Sequence, residues 1–176
     1  MITRQALQKG FTLVETLVAV LILAITITGV FAALSINRDI AGQTRRNFIA
    51  SGLVQEGVEV VHNLRDNDWL QDRAFGTFGD TSAFAVADGD YRVQSDSVKL
   101  LPLDTNPTLT IDSVSGLYSY DSTATSKTTP FHRVIHVQSV PSQIPAVEKI
   151  ITVTVTWQEK GREMSIAAEE HLFDWL

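Results

Sequence analysis

Gly10-Phe11-Thr12-Leu13-Val14-Glu15, followed by an almost unbroken apolar run to Ala33, is the stretch that decides how this chain is built. From Phe11 to Ala33 the residues are apolar, or threonines that can hydrogen-bond within a helix; Gly29 is the one helix-weak position and no proline interrupts. At 1.5 Å per residue the run predicts a helix of roughly 34 Å, enough to cross a hydrocarbon core of about 30 Å. One carboxylate, Glu15, breaks it near the start. An acidic group costs about 2.5–3.5 kcal/mol at mid-bilayer and less near the interface, so Glu15 calls for a compensating partner.

The residues before the run are basic, Arg4 and Lys9, and end in Gly10. Lys9-Gly10-Phe11-Thr12-Leu13-Val14-Glu15 with its apolar continuation resembles the N-terminal signal of type IV pilins and type II secretion pseudopilins. That family's pattern is a short basic leader, a glycine closing it, a phenylalanine that becomes the new N-terminus, and a glutamate five residues into the mature chain. Lys9, Gly10, Phe11 and Glu15 match at all four places. The resemblance is tight over about Gly10–Leu70. It implies cleavage after Gly10 by a prepilin peptidase, N-methylation of Phe11, and pairing of Glu15 with the free amine of a neighbouring subunit's Phe11. The physics agrees with that pairing, because cleavage creates a cation inside the membrane and a buried cation needs a partner. Gly10 suits the cleaved position because it lacks Cβ and lets catalytic groups approach the backbone.

Two other readings of the N-terminus are an ordinary secretory signal and an uncleaved single-pass anchor. The first needs a shorter apolar region and a small-x-small cleavage site, of which Ala32-Ala33 is a poor version. Arg4 and Lys9 precede the span, while Arg38 beyond it is partly offset by Asp39. The positive-inside rule then predicts the leader in the cytoplasm and the remainder outside.

Residues 34–66 predict a second, amphipathic stretch of helix. Ile49, Leu53, Val54, Val58, Val61 and Leu64 recur at three- and four-residue spacing with Gln55, Glu56, Glu59 and His62 between them. One helix from Phe11 to Asn63 would be about 80 Å long. Gly42, Gly52 and Gly57 lie inside it, each costing about 1 kcal/mol relative to alanine. Gly42 reads as a weak point or break; Gly52 and Gly57 fit equally a weak point or a place where neighbouring helices approach closely. Leu64 to Leu70 is expected to end the helix, since Asn and Asp compete with it for backbone hydrogen bonds.

The remainder reads as turns and strands. Asp88-Gly89-Asp90 opens a strand at Tyr91, Leu109–Asp112 and Leu117–Tyr120 alternate, Asp121–Thr129 reads as a loop, Phe131–Val140 as a strand, and Pro141 to Pro145 as a break. The clearest signal is last: Ile151, Val153, Val155 and Trp157 alternate with Thr152, Thr154 and Thr156. Glu159-Lys160-Gly161 is a tight turn, and Met164, Ile166 and Ala168 alternate on the return. The expected fold is α+β: a long N-terminal helix, transmembrane in its first half and amphipathic in its second, packed on a C-terminal antiparallel β-sheet, which is also the pilin-like fold the resemblance implies. The expected segments are a leader 1–10, a transmembrane and assembly helix 11–33, an amphipathic helix 34–66, and a loop and sheet domain 67–176. Ala32 lies where major pilins often carry a helix-bending proline, so the resemblance points to a minor subunit.

Composition narrows the function. Mean hydropathy is +0.08 despite 19% charged residues, because apolar residues concentrate near the N-terminus. Net charge is −6, and loss of Arg4 and Lys9 with the leader takes it to −8, which disfavours nucleic-acid binding by bulk electrostatics. There is no cysteine, so the C-terminal loop that many pilins staple with a disulfide must be held by packing and hydrogen bonds. His132 and His136 lie about 13 Å apart on a strand, too far for joint metal binding, and His62 and His171 read as solvated or structural. Asp80, Asp88, Asp90, Asp104 and Asp112 lack the spacing of a dedicated calcium loop, and turn chemistry accounts for most of them. No nucleophile motif surrounds any serine. Trp69, Trp157 and Trp175 read as core or interface aromatics, and Tyr118 and Tyr120 as part of a solvated or adhesive surface.

The sequence-based expectation is therefore a structural, non-enzymatic subunit with no cofactor. Its expected partners are a prepilin peptidase/methyltransferase, other pilin subunits, an inner-membrane assembly platform and, before assembly, membrane lipid. It would sit in the cytoplasmic membrane and then in a cell-surface or periplasmic filament. The alternative is a single-pass anchored binding module that never polymerises, with a ligand in loops 71–90 or 121–130.

Overall fold

The computed structural model describes residues 10–81, 85–103, 108–140 and 147–174. The leader up to Lys9, Asp104, the break from Pro141 to Pro145, and Trp175 lie outside the described residues. The elements in chain order are a helix α1 (Leu13–Leu70) and strands β1 (Gly89–Arg92), β2 (Leu101–Pro102), β3 (Thr108–Asp112), β4 (Tyr118–Ser119), β5 (Ser126–Ser139), β6 (Glu148–Glu159) and β7 (Arg162–Phe173). This is the α+β layout expected, and the chain divides into two units, Met1–Arg45 and Arg46–Leu176.

In the first unit, α1 contains an eighteen-residue window of mean hydropathy 2.8, none of it buried. Its threonines do not break the apolar surface, because their hydroxyls donate within the helix: Thr16 to the Leu13 carbonyl at 2.8 Å, Thr26 to Leu23 at 2.8 Å and Thr28 to Ala24 at 2.7 Å. A hydroxyl satisfied this way can face hydrocarbon without an orphaned donor.

In the second unit, α1 buries Ala50, Leu53, Val54, Gly57, Val60, Val61, Leu64 and Asp68. The expected stripe is present at Leu53, Val54, Val61 and Leu64, while Ile49 and Val58 are only half-buried. The helix ends within the expected stretch, at Leu70, four residues beyond the expected segment boundary at 66. It stops in a Schellman motif: Asp72 N–H donates to the Trp69 carbonyl at 3.1 Å, Arg73 N–H to Asp68 at 2.9 Å, and Asp72 has φ 56°. The Asn and Asp residues of this stretch did not unwind it, because Asp68 turns its side chain to the following loop.

The sheet is antiparallel and centred on β5. On one side β5 pairs with β6, which pairs with β7; on the other it pairs with β3 and then β1. Ile151, Val153, Val155 and Trp157 all face the core, as their alternation predicts, and Trp157 meets Phe131 edge-on at 5.9 Å. The turn after β6 is a two-residue hairpin in which Glu159 pairs with Arg162, with Lys160 at φ 49° and Gly161 at φ 78°. Strand β5 begins at Ser126, inside the expected loop 121–129, because Ser126, Lys127 and Thr128 pair with Asp112, Ile111 and Thr110. No side of that segment is apolar, so it carried no strand signal.

Candidate functional site

The N-terminal site is built by the first turn of α1. Helix geometry starts at Leu13, which makes Thr12 the cap: its Oγ1 accepts the Glu15 N–H at 3.3 Å, and its carbonyl accepts the Thr16 N–H at 3.2 Å. Thr12-Leu13-Val14-Glu15 has the S/T-x-x-E spacing of a capping box, and an acid in the first turn is favoured by the positive end of the helix dipole. Thr12 was not singled out from the sequence, although that spacing was there to find it.

Gly10 lies just before the helix, and a Cβ added to it would meet nothing within 4 Å. Phe11 is 79% exposed, and Glu15 is exposed with no side-chain partner among the described residues. The structure thus brings Phe11, Thr12 and Glu15 together at one exposed, apolar helix end.

The remaining charged residues are placed by the second unit. Arg133 is fully buried: Nη1 donates to the Leu53 carbonyl at 3.0 Å, Nη2 to the Val93 carbonyl at 2.7 Å, and Glu56 lies 3.4 Å away. Asp68, also buried, accepts from the Thr77 hydroxyl at 2.8 Å, the Gly79 N–H at 2.9 Å and Arg73 at 3.2 Å. Lys149 Nζ donates to the Val86 carbonyl at 3.0 Å and to Ser139 Oγ at 2.8 Å. In a chain without cysteine, the Asp68 and Lys149 bonds hold Arg73, Thr77, Gly79 and Val86 to the helix end and the sheet. None of the three was picked out from the sequence, because a single charge on a periodic apolar face carries no local mark of its partner.

The histidines and aspartates go to separate partners. His132 lies against Thr108, His136 pairs with Asp90 at 2.7 Å, His62 with Glu170 at 2.9 Å, and His171 with Glu148 at 2.6 Å. The Glu148 hydrogen bond raises the His171 pKa above the usual histidine range. Hydrogen bonds from Ser139 lower Asp88, and Arg46 at the start of this unit's helix holds Glu159 low. Asp112 is drawn well below the usual carboxylate range by Thr125 and by the N–H groups of its own turn. Tyr120, one of the two tyrosines read as surface residues, is mostly buried and donates to the Arg133 carbonyl at 3.0 Å. Trp69 is 69% exposed, so it is not a core residue, whereas Trp157 is.

No curated protein and no solved structure matches this chain. The family model described as the prokaryotic N-terminal methylation motif matches residues 6–31, the segment that contains Gly10, Phe11, Thr12 and Glu15. The chain therefore carries, on the exposed apolar start of α1, the N-terminal signature of type IV pilin and pseudopilin precursors.

Proposed function

We propose that this chain is a structural subunit of a type IV pilus or pseudopilus. It inserts with its leader in the cytoplasm, is cleaved after Gly10 and N-methylated on Phe11 by a prepilin peptidase/methyltransferase, and leaves the bilayer through an inner-membrane platform for a cell-surface or periplasmic filament. The observation that carries this reading is the methylation-motif match over residues 6–31.

Glu15 is assigned the central role. Its carboxylate has no partner in its own chain among the described residues, and cleavage supplies a cation at Phe11 of the neighbouring copy. In lipid, such a pair stabilises both groups far more than in water, since each alone is strongly disfavoured. The apolar side chains of the first unit, from Leu13 to Ile40, are the surface that would pack against neighbouring helices. Ala32, at the place where major pilins often bend, supports the finer reading of a minor subunit present in few copies.

The test is the mass of the chain in wild-type cells and in cells lacking the peptidase. Loss of the ten leader residues in the first only is expected, and a chain beginning at Met1 in both overturns the proposal. Glu15→Ala is expected to be processed like the wild type yet to fall by about tenfold or more in sheared fibres, the cost of leaving one buried charge unpaired.

A further inference from the structure

The second unit leaves large apolar side chains uncovered at one end. Trp69 and Leu70, in the last turn of α1, are 69% and 72% exposed, and Phe173, the last residue of β7, is 37% exposed. Trp69, Phe75 and Phe173 line a groove of about 260 Å³ together with Asp174, and Leu70 is the next residue after Trp69 on the helix. The arginines there are already engaged, Arg65 with Asp66 at 2.7 Å and Arg73 with Asp68 at 3.2 Å. Asp174 is exposed and has no side-chain partner among the described residues. An aromatic groove beside an unpaired carboxylate suits a cation on an apolar stem, and arginine is the side chain that best combines the two.

The same unit presents such a group at its other end. The hairpin between β6 and β7 projects Lys160 and Arg162, both exposed, on a two-residue turn. The adjacent Glu159 pairs with Arg46, and Arg162 has no side-chain partner among the described residues. Strand β7 runs from Arg162 at this turn to Phe173 at the groove, a span of about 36 Å at strand rise, so the two features lie at opposite ends of the unit.

We propose that the groove formed by Trp69, Phe75 and Phe173 receives the Lys160-Gly161-Arg162 turn of a second copy of this chain, with Arg162 over the aromatic rings and against Asp174. The contact joins two different surfaces of one unit, so it is heterologous and propagates copies head to tail, the geometry that builds an open helical array instead of a closed dimer. It rests on the filament reading and names a contact within it. Two adjacent copies suffice, so it also holds for a minor subunit that enters in short runs.

The absence of cysteine gives a clean test. Leu70→Cys and Lys160→Cys are placed in one full-length chain in its native membrane and treated with a short bismaleimide. A ladder of dimers and larger multiples is expected; each single variant stays monomeric, and the two singles expressed together stop at the dimer. Asp174→Arg or Arg162→Glu in the paired-cysteine chain is expected to lower the ladder about tenfold, and the two together to restore it. No ladder, products carrying a different protein, or no restoration by the double swap overturns the contact. Should the cysteines reduce the amount of folded chain, the same charge swaps read by recovery in sheared fibres decide it by the same loss and restoration. The mass of the N-terminus is measured in parallel: a processed chain without a ladder overturns this contact alone, and a ladder in a chain that keeps its leader supports the contact while overturning the filament reading.

Discussion

The guanidinium of Arg133 on β5 donates to the backbone carbonyl of Leu53 on α1 at 3.0 Å, across a position where the helix has no side chain. That position is Gly57. A Cβ there would lie 2.8 Å from Val153 Cγ1 and 3.3 Å from Arg133 Cδ. The glycine lets the helix settle onto β5 and β6 closely enough for a buried cation to reach two carbonyls.

Gly57→Ala is therefore expected to destabilise the second unit. Overpacking against the stiff, fully buried Val153 costs about 1–3 kcal/mol, and the better helix propensity of alanine returns only about 1. Gly52, where an added Cβ meets nothing within 4 Å, is expected to behave oppositely, with Gly52→Ala gaining up to about 1 kcal/mol. Urea midpoints of the detergent-extracted chain check both. Equal shifts in the same direction would mean that the close approach at Gly57 is not real.

Arg133→Met removes both donors and leaves the Leu53 and Val93 carbonyls without a side-chain partner. A loss of about 3 kcal/mol is expected, since hydrogen bonds from a charged donor contribute about 1.5–3 each. Arg133→Lys should recover only part of it, because an ammonium lacks the planar fork that serves two acceptors at once. A methionine variant as stable as the wild type would show that an apolar side chain of similar size replaces the network without loss.

Asp68→Ala is expected to release the loop after α1. It orphans the buried Thr77 hydroxyl and the Gly79 N–H, at about 1–3 kcal/mol each if no water replaces the carboxylate. Gly79 itself tolerates no Cβ, which would lie 2.0 Å from the Val98 carbonyl oxygen. Hydrogen exchange should report both changes as faster exchange at Thr77, Gly79 and Leu100, whose N–H donates to the Phe78 carbonyl at 3.1 Å.

The His171 pair predicts a pH dependence with a definite sign. Its folded-state pKa is raised by Glu148, so its contribution to stability is complete below the unfolded value of about 6.5 and is lost as pH rises through the folded value. Asp88 behaves in reverse: with its pKa lowered by Ser139, its contribution is present above the unfolded value and is lost as pH falls through the folded one. Thermal midpoints of His171→Gln should converge with wild type at alkaline pH, and those of Asp88→Asn at acid pH. Convergence at the opposite ends would refute both assignments.

Local pattern fixed a definite part of this protein. Thr12-Leu13-Val14-Glu15 sets the start of α1 by a spacing visible in four residues, the apolar run to Ala33 sets an exposed membrane-compatible surface, and the Ile151–Trp157 alternation with its Lys160-Gly161 turn sets the last hairpin. Each of these arises from neighbours within a few residues, where helical and strand periods act. The anchoring of Thr77, Gly79 and Val86, the partner of Arg133, the start of β5 at Ser126 and the difference between Gly52 and Gly57 were decided only by the tertiary structure. The reason is physical: a buried charge or a missing Cβ takes its meaning from atoms brought to it from eighty residues away, as Leu53 is to Arg133, and no local periodicity records which atoms those will be.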